Sequence, residues 1–141
     1  MANELEHFTK QTVARFMEKV VQCGHRQTRA DQLASWMLEG FGAVPIVDEQ
    51  QKLIGIVSEY DLLFALERGR PLRGLTASEV MAPNPYSIRQ ETDLGTLIHV
   101  LRASHLIRVP VVDGTGKLIG IVARRDILKA YGDHEDNKML K

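Results

Sequence analysis

The sequence predicts an α/β (α+β) fold made of two copies of one helix-strand-strand-helix unit, and three observations carry that prediction. The first is internal repetition. Ala43-Val44-Pro45-Ile46-Val47-Asp48, then Lys52-Leu53-Ile54-Gly55-Ile56-Val57 and Asp61, return as Arg108-Val109-Pro110-Val111-Val112-Asp113, Lys117-Leu118-Ile119-Gly120-Ile121-Val122 and Asp126. Pro45 and Pro110, Gly55 and Gly120, and Asp61 and Asp126 each differ by 65 positions, whereas Met17 and Met81, Thr28 and Thr92, Leu33 and Leu97, and Met37 and Leu101 differ by 64. One residue is therefore gained or lost near Gly40 to Ala43. The second observation is a switch of apolar spacing inside each copy, from three and four residues to short β-branched runs. The third is size: 141 residues, 44% hydrophobic and 26% charged, make one ordinary domain or two small repeats and exclude a disordered or fibrous chain.

The elements follow in order. Residues 1–10 form a helical lead-in. Thr28 and Thr92 are expected N-caps, and the apolar positions after them (Leu33, Trp36, Met37; Leu94, Leu97, Ile98, Leu101) give each copy an amphipathic helix. Strands are predicted over 43–47 and 53–57, and again over 109–112 and 118–122, each pair joined by a polar turn such as Asp113-Gly114-Thr115-Gly116. Second helices cover 59–68 and 124–131, with Leu62, Leu63 and Leu66 or Ile127 and Leu128 on their apolar sides. The predicted division is 1–68 for the lead helix and first repeat, 69–76 for a linker containing Pro71 and Gly74, 77–131 for the second repeat, and 132–141 for a polar, frayed tail. One copy of this size buries too little surface to be comfortably stable alone, so the two are expected to pack on each other.

Eighteen basic and eighteen acidic residues cancel to a formal net charge of zero, which gives no sequence-wide attraction to nucleic acid or an acidic membrane. No apolar run approaches the ~18 residues of a membrane span, and the start lacks the pattern of a signal peptide, so the expectation is a soluble cytoplasmic protein. Cys23 is the only cysteine, which excludes an intrachain disulfide and a thiolate metal cluster. His7, His25, His99, His105 and His134 have no metal-ligand spacing, and no glycine-framed nucleophile or phosphate loop is present. A non-enzymatic role follows, with no catalytic cofactor and no metal.

With these motifs in view, the chain resembles a tandem pair of CBS domains, the module named after cystathionine beta-synthase. The likeness rests on a hydrophobic-Pro-hydrophobic-hydrophobic-Asp strand and on Gly-hydrophobic-x-Ser/Thr-x-x-Asp closing the second strand of each copy, and it covers about residues 10–131. The resemblance implies a stand-alone regulatory module, its repeats packed by pseudo-two-fold symmetry. An adenosine-containing ligand (AMP, ADP, ATP or S-adenosylmethionine) would bind in the clefts between the copies and its occupancy would be signalled to an effector partner. It also implies a homodimer, and the crowding of Leu62, Leu63, Phe64, Ala65 and Leu66 on one helix agrees. The alternative is a structural dimerisation module with no ligand.

The site expected from the resemblance comprises Ser58, Asp61, Arg108, Arg124, Asp126, Ile56, Val57 and Val122. A carboxylate such as Asp61 or Asp126 accepts the two hydroxyls of a ribose, and the Ser58 hydroxyl with free amides at a helix start suits a phosphate. Ser58-x-x-Asp61 has equally the spacing of a capping box, in which each side chain satisfies an amide of its own helix; Ala123 removes the hydroxyl from the second copy. Arg108 would grip a phosphate with paired hydrogen bonds or stand as a solvated strand-edge arginine, and Arg124 with Arg125 would add charge at the other helix start. Ile56, Val57, Ile121 and Val122 would wall an adenine or form ordinary core, and Tyr86 would stack on a base or anchor its loop.

Overall fold

The computed structural model describes residues 2–19 and 21–139. Met1 at the head of the expected lead-in and residues 140–141 of the expected tail lie outside the described residues. The elements are α1 (Ala2–Thr9), a 3-10 turn (Val13–Arg15), α2 (Ala30–Leu38), β1 (Ala43–Val47), β2 (Leu53–Ser58), α3 (Glu59–Glu67), a second 3-10 turn (Leu72–Gly74), α4 (Ala77–Val80), β3 (Ala82–Pro83), β4 (Ile88–Arg89), α5 (Leu94–Ser104), β5 (Arg108–Val112), β6 (Leu118–Ala123) and α6 (Arg124–Met139). The helix-strand-strand-helix order is present twice. Among the described residues no helix is long and apolar enough to cross a membrane.

The chain forms two compact units that do not coincide with the two stretches of sequence. Among the described residues, one contains 21–86 and 114–118; the other contains 2–19, 87–113 and 119–139. In the first, β1 and β2 form an antiparallel pair with Val44 opposite Val57 and Ile46 opposite Gly55, and β3 adds to the free side of β2. Gly24 bridges Ile46 in parallel on the other side. In the second, β4 runs parallel to β5 with Ile88 opposite Val111, and Glu18 bridges Ile121 through paired backbone hydrogen bonds of 2.8 and 3.0 Å.

These pairings are equivalent position by position, since Gly24 to Ile88 and Glu18 to Ala82 are each 64 apart. They also explain the unit boundaries. The segment ahead of each repeat gives its edge residues to the sheet of the other repeat. The lead segment, expected with the first repeat, therefore packs with the second, and α4, at the head of the second repeat, packs with the first.

Each unit has its own core. Ala30, Leu33, Val44, Ile46, Val57, Leu62 and Leu75 fill one; Phe8, Val13, Leu94, Leu97, Val109, Val111, Val122 and Ile127 fill the other. Leu75 lies in the stretch expected to be a linker. It is buried, its carbonyl accepts from the Ala30 amide at 2.9 Å, and Thr76 bridges Arg29, so 69–76 includes structural wall.

Three local expectations are corrected. The N-caps fall one residue after the threonines: Arg29 precedes α2 without a side-chain cap, and Asp93 caps α5 by accepting from the Thr96 amide at 2.7 Å. Thr28 closes the turn before α2 instead, its hydroxyl accepting from the His25 amide. The tail expected to fray from Gly132 continues α6 to Met139. Its Tyr131 and His134 rings lie 5.6 and 5.5 Å from the buried Phe8 ring of α1, a contact that offsets the poor helix propensity of Gly132.

Candidate functional site

Ser58 and Asp61 stand where β2 runs directly into α3. Extended backbone at Ser58 turns its amide and hydroxyl toward the first turn, and both donate to Asp61 Oδ2, at 2.7 and 3.0 Å. The Asp61 amide donates back to the Ser58 hydroxyl at 3.3 Å, so the capping box closes. Where β6 runs into α6, the Ala123 amide donates to Asp126 Oδ2 at 2.8 Å. The reciprocal half is lost with the hydroxyl, yet Asp126 still caps. In both acids Oδ1 accepts no hydrogen bond from a described residue, and both side chains are half-buried. Each carboxylate thus spends one oxygen on its own helix and keeps one for another donor.

The repeat glycines answer a packing need. A β-carbon on Gly55 would overlap the Met81 sulfur and lie 3.1 Å from the Ala82 carbonyl; on Gly120 it would lie 2.7 Å from the Met17 sulfur and 3.0 Å from the Glu18 carbonyl. The same edge residues that each repeat receives from the segment ahead of the other therefore sit on these glycines.

The other expected site residues separate. Val57 and Val122 are wholly buried, one in each core, and present no surface to a base; Ile121 is buried too, and Ile56 is half-buried opposite Pro45. Arg108 opens β5 and is half-buried. Arg124 is exposed, and it lines a groove with Ile98, Leu101, Arg102 and Leu128. Asp126, two residues on and so on a different side of α6, lines a concavity of about 650 Å³ with His7, Gln11, Arg15, Lys129 and Asp133. Arg124 and Asp126 do not converge. Tyr86 is exposed, before β4.

The residues around Asp126 are ones that sequence reasoning missed. α1 has no counterpart in the repeat, so the 65-residue comparison gave no reason to place His7 beside an acid of α6. Burial pushes the Cys23 thiol above its ordinary range, which disfavours a reactive thiolate there. Among the described residues no group of three or more histidine, cysteine or acidic side chains gathers as metal ligands.

Two units built on the same strand pairings, each with an acid at the start of the helix after its central hairpin, define a tandem-repeat α+β protein. The model of the CBS domain matches residues 13–68 and 77–133, and the chain belongs to the CBS-domain family. CBS domain-containing protein CBSX1 of Arabidopsis thaliana is 29% identical over 150 residues, covering 84% of this chain and 63% of that protein. Inosine-5'-monophosphate dehydrogenase of Mycobacterium tuberculosis is 27% identical over 121 residues, covering 85% of this chain and 22% of the enzyme. An uncharacterized protein of Methanocaldococcus jannaschii is 28% identical, and the match takes in 29% of its length. The chain thus spans less than two thirds of these relatives.

Among solved structures, CBSX2 in complex with AMP superposes with a TM-score of 0.79 at 29% identity, covering 88% of this chain and 98% of that one. The CBS domain pair of protein MJ0100, in complex with 5'-methylthioadenosine and S-adenosyl-L-methionine, gives 0.77 at 25% identity over 87% and 97% of the two chains.

Proposed function

We propose that this chain is a non-enzymatic, cytoplasmic regulatory module that binds an adenosine-containing ligand (AMP, ADP, ATP or S-adenosylmethionine) and, as a homodimer, signals occupancy to an effector protein. One observation carries the reading: Asp61 and Asp126 occupy equivalent places, each with Oδ2 held by the preceding backbone and Oδ1 uncommitted. A carboxylate fixed in that way is preorganised to accept from a ribose hydroxyl. The guanidinium of Arg108, at the start of β5, has the fork geometry suited to a phosphate. The ligands named for CBSX2 and for the MJ0100 domain pair support an adenosine moiety.

Ligand acts here through its different affinities for two states of the module. Titration calorimetry with the four ligands tests the reading. At least one is expected to bind, and Asp61→Ala is expected to weaken that ligand by about tenfold to a hundredfold, the loss of a charge-assisted hydrogen bond. Unchanged affinity in Asp61→Ala overturns the ribose role. The capping bonds favour a second reading, a structural dimerisation module without ligand, and failure of all four ligands to raise the melting temperature decides for it.

A further inference from the structure

We infer that the concavity formed by α6 and the lead segment makes the Asp126 site selective for a phosphorylated nucleotide, with Arg15 and Lys129 as the cations that meet the phosphate. The inference rests on the ligand-binding reading above and adds the charge of the ligand at one of the two acids.

The concavity lies within a single compact unit, and its volume of about 650 Å³ is that of a small-molecule site. Lys129 and Asp133 follow Asp126 at helical spacing and share its face of α6, while Arg15 comes from the 3-10 turn after α1. Arg15 is positioned without being neutralised. Its guanidinium donates to the Gln11 side-chain oxygen at 3.1 Å and lies 5.9 Å from the Phe16 ring centre. Among the described residues, Arg15, Lys129 and Asp133 form no ion pair. Asp126 spends Oδ2 on the Ala123 amide and keeps Oδ1. The lining therefore offers a fixed acceptor for a hydroxyl and two uncommitted cations for an anion. A nucleotide uses both, and its nucleoside uses only the first.

The repeat supplies the contrast. At the 64-residue offset of the lead segments Arg15 corresponds to Glu79, and at the 65-residue offset of the second helices Lys129 corresponds to Phe64. Glu79 is occupied in capping α4, where it accepts from the Thr76 amide and hydroxyl at 3.0 and 3.1 Å. Arg70 is paired with that same carboxylate, and Arg68 lies over the Phe64 ring at 4.6 Å. An acid and an aromatic ring thus stand beside Asp61 in the sequence pattern where two unpaired cations stand beside Asp126. The capping acid is common to both repeats, so the cations are what set the Asp126 site apart.

Titration calorimetry of AMP and of adenosine, which differ only in the phosphate, tests this on the full chain, with far-ultraviolet circular dichroism and thermal melts to verify that each variant folds. Wild type is expected to bind AMP at least about tenfold more tightly than adenosine, and added salt is expected to narrow that gap. Arg15→Gln/Lys129→Gln is expected to weaken AMP by at least about tenfold while moving adenosine by less than about twofold, and Lys129→Arg is expected to keep the preference. Asp126→Asn is expected to weaken both ligands, since both carry the ribose. A wild type that binds none of AMP, ADP, ATP, S-adenosylmethionine and adenosine overturns the ligand-binding reading itself. A wild type that binds S-adenosylmethionine but not AMP, or AMP with an affinity unchanged in Arg15→Gln/Lys129→Gln or in Asp126→Asn, leaves that reading standing and overturns the selectivity inferred here.

Discussion

The Met81 sulfur fills the space that a β-carbon on Gly55 would occupy, and the Ala82 carbonyl borders the same point at 3.1 Å. The sulfur ends a flexible side chain, but the carbonyl belongs to β3, which is hydrogen-bonded to β2. Gly55→Ala is therefore expected to lower unfolding stability by about 1–3 kcal/mol, as overpacking of a filled interior does. Urea denaturation of Gly55→Ala, Met81→Ala and the double variant measures the relationship. A coupling of about 0.5–3 kcal/mol between the two sites is expected, and strict additivity would show that the methionine is not what excludes the side chain.

Asp93 Oδ1 holds the Thr96 amide at 2.7 Å, whereas Thr92 gives α5 no side-chain cap. Asp93→Ala should cost about 0.5–2 kcal/mol and Thr92→Ala no more than about 0.5 kcal/mol. The bonds from the Thr96 amide and then its hydroxyl hold the Asp93 carboxyl below its ordinary range. A carboxylate whose value is depressed by folding stabilises above its unfolded value of about 3.9 and loses that contribution as pH falls through the depressed one. Asp93→Asn keeps a capping oxygen that does not titrate. Wild type should thus lose stability relative to Asp93→Asn as the pH is lowered below about 4; parallel profiles in acid would contradict the assignment.

The cap between β6 and α6 is half built. Ser58 donates amide and hydroxyl to Asp61, while Ala123 has only its amide to give Asp126. Ala123→Ser restores the missing oxygen in backbone already shaped for it, and a gain of about 0.5–2 kcal/mol in unfolding stability is expected. A loss instead would mean that the buried site of Ala123, 5% exposed, does not admit the hydroxyl in its bonding rotamer.

Much of this architecture could be read from spacing alone, and the failures have physical causes. The 65-residue offset located β1, β2, β5, β6 and the acids that follow them, because buried β-branched runs leave a strong pattern. The 64-residue offset paired Met17 with Met81, yet nothing in a repeat states which sheet an edge residue joins, so the exchange of edges at Glu18 and Ala82 was illegible. Thr92 looked like a cap because the preference for threonine at that place is real, but the adjacent Asp93 is the better acceptor and takes the role. Val57 and Val122 looked like candidate walls for a base because a strand residue facing a cleft and one facing a core have the same side chain. The helix beyond Gly132 depends on a ring contributed by α1, over a hundred positions earlier, and no local pattern records it.

That distant contact makes the last prediction. Phe8 is 3% exposed and lies within 6.5 Å of Phe16 and 5.6 Å of Tyr131, ring centre to ring centre. It belongs to the same core as Val13, Leu94 and Ile127, so truncation opens a cavity as well as removing apolar contact. Phe8→Ala is expected to cost about 3–5 kcal/mol of unfolding stability. The local consequence discriminates more sharply. If Phe8 is what holds α6 together past Gly132, amide hydrogen exchange in residues 131–136 should accelerate well beyond the change in α3, which lies in the other unit. Exchange that rises equally in α3 and α6 would instead report only global destabilisation, and the anchoring role assigned to Phe8 would be lost.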